Sequence, residues 1–374
     1  MRRGHTVRLE TWGGWREHVE REGMSFAPAP EYEVFPPRGA KLKPFQAAVR
    51  AAEETQPGLA EFDPDVVVVD ILTTAAALAA EMTGRPWATL IPHVLPTPSP
   101  GFPPYSVGAR LPRTPVGRAL WRSLDPIVQG GQRRGADELN EARERVGLPR
   151  LPFVHNGISR QLALVATFPQ LEYPRPAAEP WVEVTGPLLW EQPYGDVEVP
   201  PGDGPLVLVA PSTSQDPKQR MLAAALEGLA GAPVRVLATY NRRPPPAPLR
   251  VPPNARLVEW VSYTRTMPHC DAVVCHAGHG TVIRALACGV PVVACPAAGD
   301  MAENAARVAW SGTGVSLPRR LISARGVRLA VERVLSDGRF AARAGELADW
   351  AARFDGAERA ARAIEAFASR EARA

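Results

Sequence analysis

Six residues, His276-Ala277-Gly278-His279-Gly280-Thr281, carry the residue types that a phosphate-binding turn needs. The apolar run before them, DAVVCH (271–276), reads as a buried strand, and the spacing predicts a helix that begins near Thr281 and stops at Gly289. A helix start offers unpaired N–H groups and about half a positive charge from the helix dipole. In an open parallel sheet it lies beyond the carboxyl ends of the strands, where ligands bind. Gly278 and Gly280 would let a phosphate approach the backbone closely. His276 could donate a hydrogen bond to a phosphate oxygen, and Thr281 could cap the helix or touch the phosphate. On spacing alone, a plain strand–turn–helix with solvated histidines stays equally open. The pattern is not GxGxxG, not a loop ending GK[ST], and not HExxH, because no glutamate lies between His276 and His279.

Such a turn needs a sheet behind it, and the chain supplies strand-like and helix-like segments in alternation. HTVRLET (5–11), DPDVVVVD (63–70), WATLI (87–91) and LALVATFP (162–169) read as strands of one series. LVLVAP (206–211), VRVLATY (234–240), ARLVEWV (255–261), DAVVCH and VPVVACP (290–296) form a second. Between them, 180–204 holds no periodic core. The expected division is 1–190, a linker at 191–204, 205–355, and a C-terminal helix at 356–374 able to pack back on the first domain. Two βαβ series imply an α/β chain with two doubly wound parallel sheets.

Composition narrows the function classes. The chain has 374 residues, 45% hydrophobic and 22% charged, with a formal charge of +4 scattered along its length, so no tract suits nucleic acid. Cys270, Cys275, Cys288 and Cys295 form no CxxC pair and read as buried thiols rather than zinc ligands, which suits a reducing cytoplasm. The longest apolar stretch is broken by Asp70 and threonines, so no integral membrane segment is expected. Asp70, ending VVVVD, reads by itself as a helix cap.

HAGHGT…GVP, preceded by EWVSYTRTMPHCDAVV and followed by CPAAGDMAENAARV, resembles the donor signature of family 1 glycosyltransferases, the nucleotide-sugar enzymes of GT-B fold. Macrolide and natural-product enzymes belong to that family. RRGHTVRLET…REHVEREGMSFAPAP, LNEARERVGLPRLP, LALVATFPQLEYPR and VEVTGPLLWEQP extend the resemblance over nearly the whole chain. It implies two facing Rossmann-like domains, acceptor in the first and donor in the second. It also implies inverting, metal-free transfer from a UDP- or TDP-sugar to a hydroxyl of a small, largely apolar acceptor. No cofactor beyond the sugar nucleotide is implied. A lipid, sterol or cell-wall-precursor enzyme and a catalytically impaired sugar-nucleotide binder are the alternatives; monomer and homodimer both stay open.

The resemblance also assigns residues. His276, Gly278, His279, Gly280 and Thr281 match the diphosphate positions, and Ser212, Thr213 and Ser214 match a hydroxyl-bearing loop that reaches the phosphates, although a mere polar loop is the other reading. Trp260, with Val261 beside it, matches the nucleobase platform; a core tryptophan ending a strand is the alternative. Asp300 and Met301 occupy the sugar-binding positions. Asp70 resembles the aspartate that orients a catalytic histidine. Asp63-Pro64-Asp65 spells the DxD of metal-dependent glycosyltransferases, but it precedes its strand and reads as a turn.

Three departures matter. Arg284 stands where a glutamate binds ribose, and Met301 where many members carry glutamine, which favours a deoxyribose nucleotide and a less hydroxylated sugar. The family's histidine base has no counterpart: His5 and His18 lie elsewhere in the pattern, His155 lies in a loop, and only His93, just after WATLI, is placed to substitute. The loop 93–116 would hold the acceptor, with Trp87, Tyr105 and Trp121 as possible lining or core. The opening MRRGHTVRLE reads as the tail of the family's first helix followed by its second strand, lacking about 25 residues on the usual size of a βαβ unit. A mis-set start, a gap between strands or a rearranged sheet would each account for it, and Asp70 would be half of a catalytic pair.

Overall fold

The computed structural model describes residues 1–30, 44–176, 179–213 and 215–373. The chain opens with β1 (Arg8–Thr11), α1 (Arg16–Arg21) and β2 (Ser25–Pro28), a parallel pair in which Leu9 sits opposite Phe26. α2 (Pro44–Phe62), β3 (Val67–Asp70), α3 (Thr74–Met82) and β4 (Trp87–Ile91) follow. A long loop, α4 (Pro115–Arg122) and α5 (Asp125–Arg145) lead to β5 (Ala163–Val165) and β6 (Val182–Val184). β3, β4, β5 and β6 pair in that order, all parallel.

The second sheet starts at β7 (Leu206–Ala210) and continues through α6 (Arg220–Gly228), β8 (Arg235–Thr239), β9 (Ala255–Val258), α7 (Tyr263–Thr266), β10 (Ala272–Cys275), α8 (His279–Ala287), β11 (Val292–Ala294), α9 (Met301–Ser311) and β12 (Gly314–Ser316). Its order is β12-β11-β10-β7-β8-β9. The chain therefore starts at a central strand and reverses direction between β7 and β10, a topological switch point. Along β7, Leu206, Leu208 and Ala210 enter one core while Val207 and Val209 enter the other, the period-two alternation of a sheet covered on both faces. α6 and α10 (Ala324–Ser336) cover one face; α8, α9 and α11 (Gly338–Arg353) cover the other. Val94, Phe168 and Leu171 from the first half join the same apolar cluster as Leu208, Val273 and Val292, so this core runs through the junction of the domains.

α12 (Gly356–Glu371) returns to the first sheet, where Ala360 and Phe367 pack on Ala88, Leu162 and Leu164. The outgoing and returning connections touch at glycines. A Cβ on Gly356 would lie 2.5 Å from the Pro187 carbonyl oxygen, and one on Gly186, at φ +107°, would lie 2.7 Å from Trp350.

Several elements differ from the sequence reading. The strand expected at 255–261 ends at Val258, so Trp260 and Val261 follow it rather than lie in it. The strand expected at 5–11 begins at Arg8. α8 begins at His279 instead of near Thr281, because Ala277 adopts a left-handed φ of 60° and closes the turn in one residue. At the start of the chain, β1–β2 form a sheet separate from β3, the gap among the three expected outcomes. β1 rests on α2 instead: Arg8 donates to the Gly58 carbonyl (3.3 Å), and Thr55 donates to Glu10 (3.1 Å). Asp63 begins the turn before β3, at φ 51° and bonded to Arg85.

Candidate functional site

The switch point brings the ends of β7 and β10 side by side, and Ser212 and His276 meet there. The Ser212 backbone N–H donates to His276 Nδ1 (2.8 Å), and His276 Nε2–H donates to Asp216 (3.2 Å). An N–H can only donate, so Nδ1 carries the lone pair and the proton sits on Nε2. Burial lowers the imidazole's pKa while Asp216 opposes the shift. Asp216 also accepts from the Met221 N–H (3.1 Å), stitching the loop to α6. In this geometry both ring nitrogens of His276 are engaged by the protein, so the ring fixes the 212–216 loop rather than pointing a free N–H into the cleft. Ser212 Oγ accepts from the Gln215 N–H (3.0 Å), Thr213 is exposed, and Ser214 lies outside the described residues.

α8 starts one turn further along. Gly278 caps it, so His279, Gly280 and Thr281 form its first turn. Arg284 Nη1 donates to the Gly280 carbonyl (3.1 Å), and a Cβ at Gly280 would come 3.2 Å from that nitrogen. His279 crosses to the other domain: its Nε2 meets the Ala166 carbonyl at 3.3 Å, just past β5. Burial drives its pKa down to about 4, with His93 also pushing it down, so the ring is neutral and Nε2 carries the donating proton. Asn304 donates to the Ala277 carbonyl (3.0 Å) and to Asp300 (3.3 Å), joining α9 to the turn. Met301 is buried at the start of α9.

The carboxyl ends of β3, β4 and β5 form the opposite wall. Asp70 lies beside Leu90 in register, and Val165 beside Ile91, so Asp70, His93 and Ala166 share one rim. Asp70 Oδ1 accepts from the Leu72 N–H (2.8 Å), and its carbonyl accepts from Thr73, which turns the chain into α3. Its observed bonds are those of the helix-entry turn. His93 Nδ1 lies 2.8 Å from the Val94 carbonyl and 3.2 Å from Tyr105 Oη. A carbonyl can only accept, so Nδ1 carries a proton, and in the neutral ring the lone pair is then on Nε2. Tyr105 keeps its proton: burial raises its pKa, reinforced by Asp300 and Glu303 from the other domain. Trp87 packs in the core with Val69 and Ala80 and against the ring of His155. His5 pairs with Glu365 (2.7 Å), and His18 with Gln192 (2.8 Å).

Just past β9, Trp260 stacks near Tyr263 (6.4 Å, 21°), and the Arg242 guanidinium lies 4.6 Å from its ring centroid. Val261 is fully buried, part of the core. Glu191 accepts from the N–H groups of Tyr263 (2.8 Å) and Thr264 (2.9 Å), capping α7, and Arg284 also donates to the Trp190 carbonyl. Arg284 thus ties the first turn of α8 to the segment just before the 191–204 linker.

Sequence reasoning missed Asp216, Asn304 and a buried cluster at the junction. Arg307 donates to Glu303 (2.8 Å) and to the Leu171 carbonyl (3.0 Å), lies 3.6 Å from Glu172, and stacks over Tyr173 at 3.4 Å. Glu172 in turn accepts from the Leu95 N–H (2.7 Å), and burial raises its pKa. The i,i+4 spacing of Glu303 and Arg307 was the available signal, but it predicts a solvated pair equally well. Among the described residues no three His, Cys, Asp or Glu side chains converge as a metal ion requires. No described helix is long and apolar enough to cross a membrane.

The two sheets, both parallel, turn their carboxyl ends toward each other and define a two-domain α/β scaffold; only the second is doubly wound, because β3 to β6 add in sequence order and β1–β2, expected on the far side of β3, stand apart. Residues 224–365 match the family described as erythromycin biosynthesis protein CIII-like, C-terminal domain. The chain is 33% identical over 385 residues to 4'-demethylrebeccamycin synthase of Lentzea aerocolonigenes, covering 93% of this chain and 89% of that protein. Its fold is similar to a crystal structure of the glycosyltransferase of kitacinnamycin, with a TM-score of 0.77, 22% identity, and coverage of 98% of this chain and 92% of the other. It is also similar to the glycosyltransferase VinC in complex with dTDP, at a TM-score of 0.68 and 18% identity over 99% and 94% of the two chains. The chain belongs to the family 1 glycosyltransferases of GT-B fold, of the macrolide and natural-product type that uses nucleotide sugars.

Proposed function

We propose that the protein transfers a sugar from a dTDP- or UDP-activated donor to a hydroxyl of a small, largely apolar acceptor, with inversion and without a metal, and that His93 is the base. The observation that carries this reading is the meeting of α8 with the first sheet. His279 bonds the Ala166 carbonyl at the same rim that holds His93, whose Nε2 lone pair is left by the Nδ1–Val94 bond.

An acceptor hydroxyl near His93 gives its proton to Nε2 and attacks the anomeric carbon on the face opposite the diphosphate. Imidazole suits this role because its ordinary pKa lies near neutrality. The departing diphosphate develops charge at the start of α8, where unpaired N–H groups and the helix dipole stabilise it. Gly278 leaves that approach open, with nothing within 4 Å of a Cβ position. In this reading Asp300 receives the sugar hydroxyls, and Trp260 takes the nucleobase once Arg242 yields its position over the ring. Arg284, already bonded to Gly280 and Trp190, offers no acceptor for a ribose 2'-hydroxyl, which favours a dTDP-sugar; VinC, solved with dTDP, supports that preference by analogy.

The test is transfer measured with matched dTDP- and UDP-sugars, with and without EDTA, alongside calorimetry for the free nucleotides. Expected are EDTA-insensitive turnover, an inverted product and a preference for the dTDP donor. Nucleotide binding with neither transfer nor donor hydrolysis would reassign the chain as a sugar-nucleotide binder.

A further inference from the structure

α4 is an eight-residue helix with none of its residues buried. A helix of that length does not hold itself together in water, so something must support it. Its start is capped by Thr114, whose Oγ1 accepts from the Gly117 N–H (3.1 Å), with Pro115 in the first turn. Its contact with the rest of the domain is made by backbone: a Cβ on Gly101 would lie 3.0 Å from the Arg118 carbonyl oxygen. Apart from the half-buried Trp121, its large side chains are left to solvent: Val116 and Leu120, one turn apart on α4, are 80% and 69% exposed, and Ile127 at the start of α5 is 73% exposed.

Beside these residues, Arg113, Arg118 and Arg122 line one concave site with Pro115. α4 itself has no acidic residue, and the nearest in sequence, Asp125, faces the Gly101 N–H at 3.5 Å. Among the described residues none of the three arginines has an ion pair.

We propose that residues 113–127 form a docking face for an anionic phospholipid bilayer, with the arginines on headgroup phosphates and Val116, Leu120 and Ile127 entering the interfacial layer. Guanidinium groups match phosphate oxygens bidentately, and an exposed helix with apolar side chains and arginines has the composition of an interfacial anchor. A bilayer fits better than a folded protein partner. Two helical turns are too small for a stable protein interface of ordinary size, whereas a bilayer needs only a few inserted side chains and the attraction of its surface charge. The face adjoins the 99–112 loop, where Gly108 packs on Ala302 of the other domain.

The experiment is flotation of the full chain with vesicles of phosphatidylcholine alone or mixed equally with phosphatidylglycerol. Expected is partition into the mixed vesicles only, weakened by raised salt. Arg113→Ala/Arg118→Ala/Arg122→Ala should weaken it about 100-fold, at about fivefold per arginine. Val116→Ser/Leu120→Ser/Ile127→Ser should also release the protein, and both variants should keep the wild-type Tm because the replaced side chains are exposed. Equal partition into both vesicles, no flotation at all, or variants that float like wild type would overturn the proposal. Self-association in the absence of lipid, abolished by the serine variant, would overturn it in favour of an interface between copies of this chain.

Discussion

In the second sheet every residue of β7, β10 and β11 is buried, whereas β3 of the first sheet leaves Val68 42% exposed and β1–β2 stand apart from it. The contrast extends to the side chains that do chemistry. In the second domain His276 is held by two hydrogen bonds from a neighbouring loop, and α8 starts where the strand ends. In the first domain His93 is held by its own next carbonyl and by Tyr105 from a long loop. The second half fixes its histidine through strand ends that the sheet order makes neighbours, and the first half fixes its histidine through its own long loop.

Four measurements would break or sharpen this contrast. The largest effect is expected at His93. His93→Gln should lower kcat by about 10²–10⁴-fold while leaving nucleotide binding by calorimetry unchanged; an unchanged kcat would remove the base from this rim. Next comes the junction. Arg307→Met leaves Glu303 and Glu172 without their buried partner, and removing one member of such a cluster costs about 3–5 kcal/mol. Chemical denaturation should show that loss, and a stability unchanged within about 1 kcal/mol would mean the two halves are held together elsewhere.

The pH response is smaller. Burial holds His279 and His155 down to about 4, so below the ordinary histidine range the folded chain binds fewer protons than the unfolded one. Stability is then complete above about pH 7 and falls as pH drops toward 4, by roughly 2 kcal/mol for each histidine at pH 5. Asp337 and Glu365, pulled down to about 2 by Arg339 and by Arg3, lose their contribution only below the ordinary carboxylate range. Urea midpoints at pH 7.5 and pH 5 should therefore differ, and His279→Gln should shrink the difference. A midpoint independent of pH over that interval would contradict the buried neutral rings. The smallest effect is expected at the crossing of the connections, where Gly356→Ala forces a methyl to within 2.5 Å of the Pro187 carbonyl. Overpacking of this kind costs about 1–3 kcal/mol, visible as a lower Tm, and an unchanged Tm would show that the connections can part.

The legible and illegible parts of the sequence divide along the same line. LVLVAP and DAVVCH announce parallel strands covered on both faces, and β7 and β10 are fully buried; VVVVD carries the same signal, yet β3 is an edge strand with only Val69 buried, because an apolar run does not show whether a neighbouring strand covers it. The turn after Cys275 is equally local, and only its boundary was misplaced, because Ala277 in a left-handed conformation is not a residue type that signals one. Apolar content extends the expected strand over Trp260 and Val261 because it does not show where ladder pairing stops. Trp87 admits two readings from sequence because an aromatic in a strand looks the same in a core and in a pocket.

Sequence by itself determined the two series of alternating strands and helices and the position of the His276–Thr281 turn, since each rests on neighbours within a few residues. Tertiary structure alone decided that His276 is engaged by Ser212 and Asp216, that His279 reaches Ala166 across the cleft, and that Arg307 joins Glu172 to Glu303. Those partners lie on other strands and loops, brought together by sheet order and domain packing. A hydrogen bond between residues so distant in the chain leaves no periodic trace in it.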